Sequence, residues 1–432
     1  MCVSFGTLFG TSKIFKELFN KNVSKIIFVI LFFFPLFFGH MGINGKDTIL
    51  AFSHVWIFYF LIRYFKVRNN EYKKTKYIIH LSMLISIASG IQLLFIGSLI
   101  PIIFILIIDY FYYNNFINKK IIKKKLLIDI FKCILLTYFT LILFWIDVHP
   151  NIIRLPFNFI FEIFSDDFWT GYPFNLINGK YIFSANIPKD YLLINFFYKT
   201  PEYILISYLL FFVLFLKIKK FFEKIFLAFN QKLFFIIFIL FFPNLIILFF
   251  DFPIYDGLRL FIWVFPYFCM IPALTIYYFI VNFKLFSSKI FLSIIGLFFL
   301  LLINDFIKLT PFQYTYLNNL NGNYNERYAK FENDYWGTTI KELIKKTKFK
   351  NQNTVLLTSC GLNTKTLEKY LTLNKIYNYI FVSSNKASYV IMTNRVTQKN
   401  DELISCFDKF KGEDISTVKR NKLILSVVRK IN

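Results

Sequence analysis

The stretch PLFFGHMGINGKDTILAF (residues 35–52) places a lysine and an aspartate, Lys46 and Asp47, between two apolar runs. These runs, at 23–39 and 48–65, approach the roughly 20 mostly apolar residues that a transmembrane helix needs. Ionisable side chains are costly within a bilayer, so they are expected at its surface or at a functional site. The stretch therefore predicts two membrane helices joined by a short charged loop.

The whole chain has the composition of a membrane protein. Hydrophobic residues make up 56% and aromatic residues 22% of its 432 residues, and the mean hydropathy is +0.54. Soluble globular chains contain fewer apolar residues than this. Nine segments are predicted to cross the membrane: 23–39, 48–65, 77–91, 94–113, 126–147, 203–217, 233–250, 259–283 and 289–304.

Lysine and arginine are unequally distributed between the loops that join these segments. The loops on the side of the N-terminus contain 22 of them, and the opposite loops before residue 305 contain six. Because positively charged loops stay in the cytoplasm, the N-terminus is predicted inside, and Lys46 and Asp47 outside. The net charge of +25 is then largely topological, and no nucleic-acid partner is expected.

Two domains are predicted. Residues 1–304, including a long outer loop at 148–202, form the transmembrane domain, and residues 305–432 form a small α/β domain outside the cytoplasm. In the latter, segments of strand length and β-branched content alternate with segments of helical spacing. Strands are predicted at 354–360, 379–384, 388–395 and 423–430, and helices at 338–348 and 364–372. Cys360 and Cys406 lie here; two separate thiols are the default expectation, and a disulfide is the alternative.

The outer loop contains most of the unusual polar residues, notably Asp166, Asp167, Trp169 and Tyr172. Aromatic segments flank them, FNFIFEIF (157–164) and YLLINFFY (191–198), and both are predicted to be interfacial helices. A mouth of carboxylates, aromatic rings and cations suits a sugar phosphate; an interfacial collar without chemistry is the alternative.

Motifs of soluble enzymes are absent. The sequence has no Gly-rich phosphate loop, no HExxH and no CxxC pair, and its four histidines lack ligand spacing. His54 and His80 are expected to be buried helix residues. No metal site or cofactor is predicted, and dependence on a divalent metal is left open.

Several segments resemble, in order and spacing, those of a family of bacterial multi-pass proteins similar to the GT-C glycosyltransferases. That class includes the protein O-mannosyltransferases and the lipid A aminoarabinose transferase, which use polyprenyl-phosphate sugars. The resemblance covers the chain from about residue 20 to its end. It rests on PLFFGHMGINGKDTILAF, IPKDYLLINFFYKTPEYIL, YDGLRLFIWVFP, TPFQYTYLNNLNG, KFENDYWGTTIKEL, ASYVIMTNR and LILSVVRK.

The resemblance implies a GT-C-like fold and transfer of a sugar from a polyprenyl-phosphate carrier at the outer face of the bacterial inner membrane. The acceptor would be an envelope glycan, lipid or protein. An outer-loop carboxylate would act as general base, and fixed cations would stabilise the charge on the leaving phosphate. The implied catalytic residues are Asp47, Asp166 and Asp167, the donor-phosphate ligands are Lys46, Lys199 and Arg259, and the substrate contacts are Trp169, Tyr172, Tyr255 and Asp256.

The sequence departs from this family at two places. Relatives usually begin with a further membrane helix and an acidic outer loop, and this sequence is expected to start after both. Leu260 also stands where the family usually has His. Three explanations remain open: a misplaced start, a truncated and inactive homologue, or an enzyme in which Asp47 and the Asp166–Asp167 pair act alone.

Each candidate residue also has a structural interpretation. Asp47 would cap a helix beginning at Thr48, Arg259 would anchor its helix at the interface, and Lys199 would extend towards the headgroups. Residues 334–337 are interpreted as a folding motif that docks the outer domain on the membrane part, with substrate contact as the alternative. The alternative function is a non-enzymatic membrane protein, such as a flippase or transporter of lipid-linked sugars. Transporters tend to show internal repeats and charges at mid-membrane; the sequence has no repeat, and only Lys132 approaches such a position.

Overall fold

The structure is a computed structural model that describes residues 1–67, 70–108, 123–154, 157–158, 161, 171–323, 326–349 and 354–431. The chain divides into two compact units. The first consists of 1–170, 203–246 and 261–295, and the second consists of 171–202, 247–260 and 296–432. The described part of the outer loop from residue 171 onwards thus groups with the C-terminal residues, whereas the sequence assigned it to the transmembrane domain.

Helices occur in both units and dominate the first. In chain order, the α-helices of the described residues are α1 (Cys2–Leu18), α2 (Lys21–Phe32), α3 (Pro35–Ile43), α4 (Gly45–Lys66), α5 (Glu71–Ile91), α6 (Phe95–Ser98), α7 (Ile100–Ile108), α8 (Lys123–Phe144), α9 (Tyr191–Lys199), α10 (Glu202–Val213), α11 (Phe215–Ile225), α12 (Phe229–Phe249), α13 (Phe265–Phe268), α14 (Met270–Val281), α15 (Phe286–Lys308), α16 (Ile340–Lys346), α17 (Thr364–Leu373) and α18 (Cys406–Lys409).

Five helical segments in the described residues are long and apolar enough to cross a membrane. They correspond to five of the nine predicted segments and are Gly45–Lys66, Lys125–Phe144, Phe229–Phe249, Arg259–Val281 and Phe286–Lys308. A sixth candidate is the pair α2 and α3, which is bent by 66° at a break containing Phe33 and Phe34. Pro35 lies at the first turn of α3, where its missing N–H costs no helical hydrogen bond.

The other three predicted spans are not confirmed. The segment 77–91 lies in α5, whose first turns carry several lysines. The segment 94–113 contains two short helices, α6 and α7, and its residues 109–113 lie outside the described part of the chain. The segment 203–217 is divided between α10 and α11, which are separated at Leu214. Hydropathy over a window detects apolar residues, but it does not show where the backbone stops being helical.

A helix that was not predicted from the sequence, α1, packs closely on α4 within the first unit. Gly6 and Gly10 lie four residues apart, on one face, and their lack of side chains permits this approach. A Cβ atom on Gly10 would lie 2.7 Å from Cγ1 of Val55 and 3.0 Å from Nε1 of Trp56. The Trp56 indole N–H donates to the Gly6 carbonyl at 2.9 Å.

The strands of the described residues belong to the second unit and are β1 (Phe174–Ile177), β2 (Lys180–Phe183), β3 (Val355–Cys360), β4 (Tyr379–Phe381), β5 (Tyr389–Thr393), β6 (Val396–Lys399), β7 (Glu402–Ser405), β8 (Gly412–Arg420) and β9 (Leu423–Ile431). Five of them form one sheet with the order β4-β3-β5-β9-β8. Strand β3 pairs in parallel with β4 and β5, whereas β9 is antiparallel to β5 and β8. Two hairpins, β1-β2 and β6-β7, lie outside this sheet.

All four predicted strands and both predicted helices of the C-terminal region are present, as β3, β4, β5, β9, α16 and α17. The helix predicted at 191–198 is also present, as α9. Strand β8 was not predicted because its sequence, GEDISTVKR, is mostly polar. It forms the outer strand of the sheet, where one neighbour is sufficient.

Cys360 and Cys406 form a disulfide, so the expectation of two separate thiols is wrong. Cys360 ends β3 and Cys406 begins α18, 46 residues later. The disulfide lies in an apolar cluster with Val390, Met392 and Val427. Sequence spacing does not show that these two segments meet at the sheet.

Candidate functional site: a buried charge cluster in the second unit

Five charged side chains meet in the second unit, and they come from four separate segments. Lys199 ends α9, Asp256 and Arg259 lie in the turn after residue 250, Glu332 lies in the loop before α16, and Arg395 follows β5. Charged side chains are almost never fully buried unless they are paired. Lys199, Asp256, Glu332 and Arg395 are nevertheless all buried.

Asp256 joins two arginines. Its Oδ2 lies 2.6 Å from Nη1 of Arg259, and its Oδ1 lies 2.6 Å from Nη2 of Arg395. Each guanidinium also lies over an aromatic ring: Arg395 is 3.5 Å from the ring centre of Tyr172, and Arg259 is 4.3 Å from that of Trp336. Both arginines are thus fixed by an ion pair and by a cation–π contact.

The backbone at Asp256 and Gly257 makes room for Lys199. Both residues have positive φ, +59° and +64°, which is uncommon for a non-glycine residue such as Asp256. A Cβ atom on Gly257 would collide with Nζ of Lys199 and would lie 3.2 Å from Oδ1 of Asn195. Among the described residues, this Oδ1 is buried and has no hydrogen-bond partner. The amine and the amide oxygen therefore border the same small space beside Gly257.

Glu332 supplies the second carboxylate of the cluster. Its Oε1 accepts a hydrogen bond from the backbone N–H of Val396 at 3.0 Å and lies 3.8 Å from Nε of Arg395. Burial raises the pKa of Glu332 to about 7, although Arg395 opposes this change. Burial lowers the pKa of Lys199 to about 8, although Glu332 and Asp256 oppose it.

With every group ionised, the cluster holds three cations and two carboxylates and is therefore positively charged. The protonation of Glu332 near neutral pH would increase this excess. A buried cationic site with preorganised arginines is suited to bind a phosphate or another oxyanion. Its guanidinium groups would also stabilise negative charge that develops on such a group.

The motif FENDYWG (331–337) combines two roles. Glu332 joins the charge cluster, whereas Asp334 is fully buried and holds the surrounding backbone. Its carboxylate accepts hydrogen bonds from the Tyr314 hydroxyl and from the backbone N–H groups of Thr338 and Thr339, the latter two at 2.9 Å. These hydrogen bonds give Asp334 a folding role within the second unit.

The structure brings five of the ten candidate residues to this cluster or its edge: Tyr172, Lys199, Tyr255, Asp256 and Arg259. Lys46 and Asp47 belong to the first unit. Asp166, Asp167 and Trp169 lie outside the described residues.

Asn195, Glu332 and Arg395 were not among the site residues predicted from the sequence. A signal was available, because each of them lies in one of the segments on which the family resemblance rests: IPKDYLLINFFYKTPEYIL, KFENDYWGTTIKEL and ASYVIMTNR. The resemblance marked these segments, but it did not show that they meet.

Asp47 lies in the first turn of α4, which begins at Gly45 rather than at Thr48. The cap is Asn44, whose Oδ1 accepts the backbone N–H of Asp47 at 3.1 Å and whose Nδ2 donates to Oδ2 of Asp47 at 2.6 Å. The Asp47 side chain is buried, with 4% exposure. The proposed capping role therefore belongs to Asn44, and Asp47 is held by the cap.

No group of three or more His, Cys, Asp or Glu side chains in the described part of the chain is arranged to hold a metal ion. His54 is buried, as expected, and its Nδ1 lies 2.8 Å from the Tyr267 hydroxyl. His80 is only half-buried, contrary to expectation.

No family model and no curated protein sequence matches the chain. Among solved structures, the crystal structure of ArnT from Cupriavidus metallidurans in the apo state resembles it. The two sequences are 11% identical, the match covers 99% of this chain and 82% of that chain, and the TM-score is 0.46.

Proposed function

We propose that this protein is a membrane glycosyltransferase that moves a sugar from a polyprenyl-phosphate carrier to an acceptor at the outer face of the bacterial inner membrane. The observation that carries the proposal is the buried, positively charged cluster around Asp256 in the second unit. Long apolar helices in the same chain supply the environment that a lipid-linked donor requires.

The cluster would bind the donor phosphate. Lys199 and Arg259 are the ligands expected from the sequence, and Arg395 adds a third cation through its ion pair with Asp256. In sugar transfer from a lipid phosphate, negative charge grows on the departing phosphate as the glycosidic bond breaks. Fixed cations in a water-poor site stabilise this charge strongly because they need no rearrangement during the reaction.

Asp47 remains a proposed general base and Lys46 a proposed phosphate ligand, as the family resemblance implies. Asp166, Asp167 and Trp169 remain proposed site residues from the sequence alone. The acceptor would be an envelope glycan, lipid or protein, and the second unit would lie outside the cytoplasm.

The proposal is tested by following label transfer from undecaprenyl-phosphate sugars to envelope acceptors in membranes that contain the full chain. Lys199→Met keeps the length of the side chain and removes its charge, and we expect transfer per molecule to fall by about 10²- to 10³-fold. Lys189→Met is the matched control, because Lys189 lies in the same loop but pairs with the exposed Asp251 at 2.9 Å. Equal transfer by the two variants, at equal yield, would reject the phosphate-binding role of the cluster.

A further inference from the structure

Trp336 is an exposed aromatic residue at the edge of the charge cluster. Its relative solvent exposure is 38%. Glu332 and Asp334 of the same motif are buried, with relative exposures of 6% and 0%. Tryptophan is enriched at binding interfaces and at membrane interfaces, because its ring is apolar and its indole N–H is polar.

Trp336 lies beside the most accessible cation of the cluster. The Arg259 guanidinium is 4.3 Å from the Trp336 ring centre and 5.7 Å from that of Tyr255, and the Arg259 side chain is 14% exposed. The Arg395 side chain is 10% exposed, and Lys199 as a whole residue is 6% exposed, so both are more deeply buried than Arg259. A ligand whose charged group reaches the cluster past Arg259 would therefore also meet the indole.

The backbone around Trp336 is firmly held. The Gly337 N–H donates to the Asp334 carbonyl at 3.1 Å, and Gly337 has a φ of +62°. This positive φ favours glycine at position 337, where a Cβ atom would also lie 2.6 Å from Cδ2 of Leu362. The buried Asp334 carboxylate therefore fixes the turn that carries the indole. Binding of a ligand would require little further ordering of this backbone.

A pyranose ring has apolar C–H faces and a polar rim of hydroxyl groups. Aromatic side chains pack against such faces, while a few fixed polar groups set the orientation of a ligand. We propose that Trp336 is a sugar-binding residue, which packs against the pyranose of a lipid-phosphate sugar while Arg259 binds its phosphate. This inference rests on the proposed function and identifies the part of the site that distinguishes a glycosylated carrier from the bare carrier.

The test compares equilibrium binding of undecaprenyl phosphate with binding of its glucose, mannose and arabinose conjugates to the purified full-length protein. We expect the wild type to bind at least one conjugate more tightly than undecaprenyl phosphate. Trp336→Leu should lose about 3- to 10-fold more affinity for that conjugate than for undecaprenyl phosphate, because the loss of its contact with Arg259 affects all four ligands alike. Trp336→Phe should keep part of the preference, and Tyr377→Leu, a change at an aromatic residue that is 69% exposed in the same unit, should keep all of it.

The possible results separate the inference from the proposed function. If the wild type binds neither undecaprenyl phosphate nor any conjugate, the proposed function fails and the inference fails with it. If it binds undecaprenyl phosphate but prefers no conjugate, only the sugar subsite is rejected. The inference is also rejected if Trp336→Leu keeps the preference, or if it weakens all four ligands equally.

Discussion

Two ionisable residues in the buried cluster have pKa values that are shifted towards each other. Burial raises the pKa of Glu332 to about 7 and lowers that of Lys199 to about 8. Because Glu332 binds its proton more tightly in the folded state, its contribution to stability is present at low pH and is lost as the pH rises through 7. Lys199 behaves oppositely: its contribution is present above pH 10.5 and is lost as the pH falls through 8.

The melting temperature of the solubilised protein should therefore fall between about pH 5 and 7. Glu332→Gln should remove most of this fall, because an amide oxygen can still accept the Val396 N–H but does not titrate. Glu342→Gln is the control, since Glu342 pairs with Arg420 and Lys346 outside the cluster, and it should leave the slope between pH 5 and 7 unchanged. A slope that survives in Glu332→Gln would show that other groups titrate there.

The role of Asp47 is also decided at the scale of one residue. Asp47→Asn keeps an oxygen that can accept from Nδ2 of Asn44, so protein yield should remain close to that of the wild type. If the carboxylate is the general base, transfer should fall by about 10²- to 10⁴-fold. Yield and label transfer are measured on the same membranes. Normal transfer at normal yield would leave Asp47 with a structural role only, as a partner of the helix cap.

At the scale of elements, the contact between α1 and α4 depends on two glycines. In Gly10→Ala the new methyl group would lie 2.7 Å from Val55, and we expect a loss of about 1–3 kcal/mol from this overpacking. Gly42→Ala is the matched control, because Gly42 is also helical but a methyl group there would meet no described atom of a neighbouring segment within 4 Å. In Gly42→Ala, the higher helix propensity of alanine should stabilise the protein slightly. Thermal unfolding in detergent measures the stability of both variants. Similar melting temperatures for the two would contradict the close packing of α1 on α4.

At the scale of the whole molecule, the disulfide provides a test of orientation. Disulfides persist outside the cytoplasm. The uneven distribution of loop charge predicts that the C-terminal residues lie there. The chain has five cysteines, of which Cys2, Cys133 and Cys269 are free. Protein denatured without reductant should therefore react with three equivalents of a maleimide reagent, and with five after reduction. Five equivalents without reductant would place Cys360 and Cys406 in a reducing compartment and would reverse the predicted topology.

Local properties of the sequence determined much of the secondary structure. Roughly twenty apolar residues are sufficient to make a helix that can cross a membrane, because every backbone group is then paired within its own segment. Five of nine predicted spans are accordingly present as long apolar helices in the described part of the chain. Strands β3, β5 and β9 were also predicted, because β-branched apolar runs favour strands at buried positions.

The tertiary structure alone decided which segments meet. Asp256 and Arg395 are 139 residues apart, and nothing in either segment shows that the other is its partner. The same holds for Cys360 with Cys406 and for the polar strand β8, which is fixed by pairing with β9. Hydropathy and propensity act over a few neighbouring residues, whereas ion pairs, disulfides and strand pairs form between segments that only the folded chain brings together. The sequence therefore determined five long apolar helices and offered Lys199, Asp256 and Arg259 as candidates, and the fold decided that Lys199, Glu332 and Arg395 share one buried cluster.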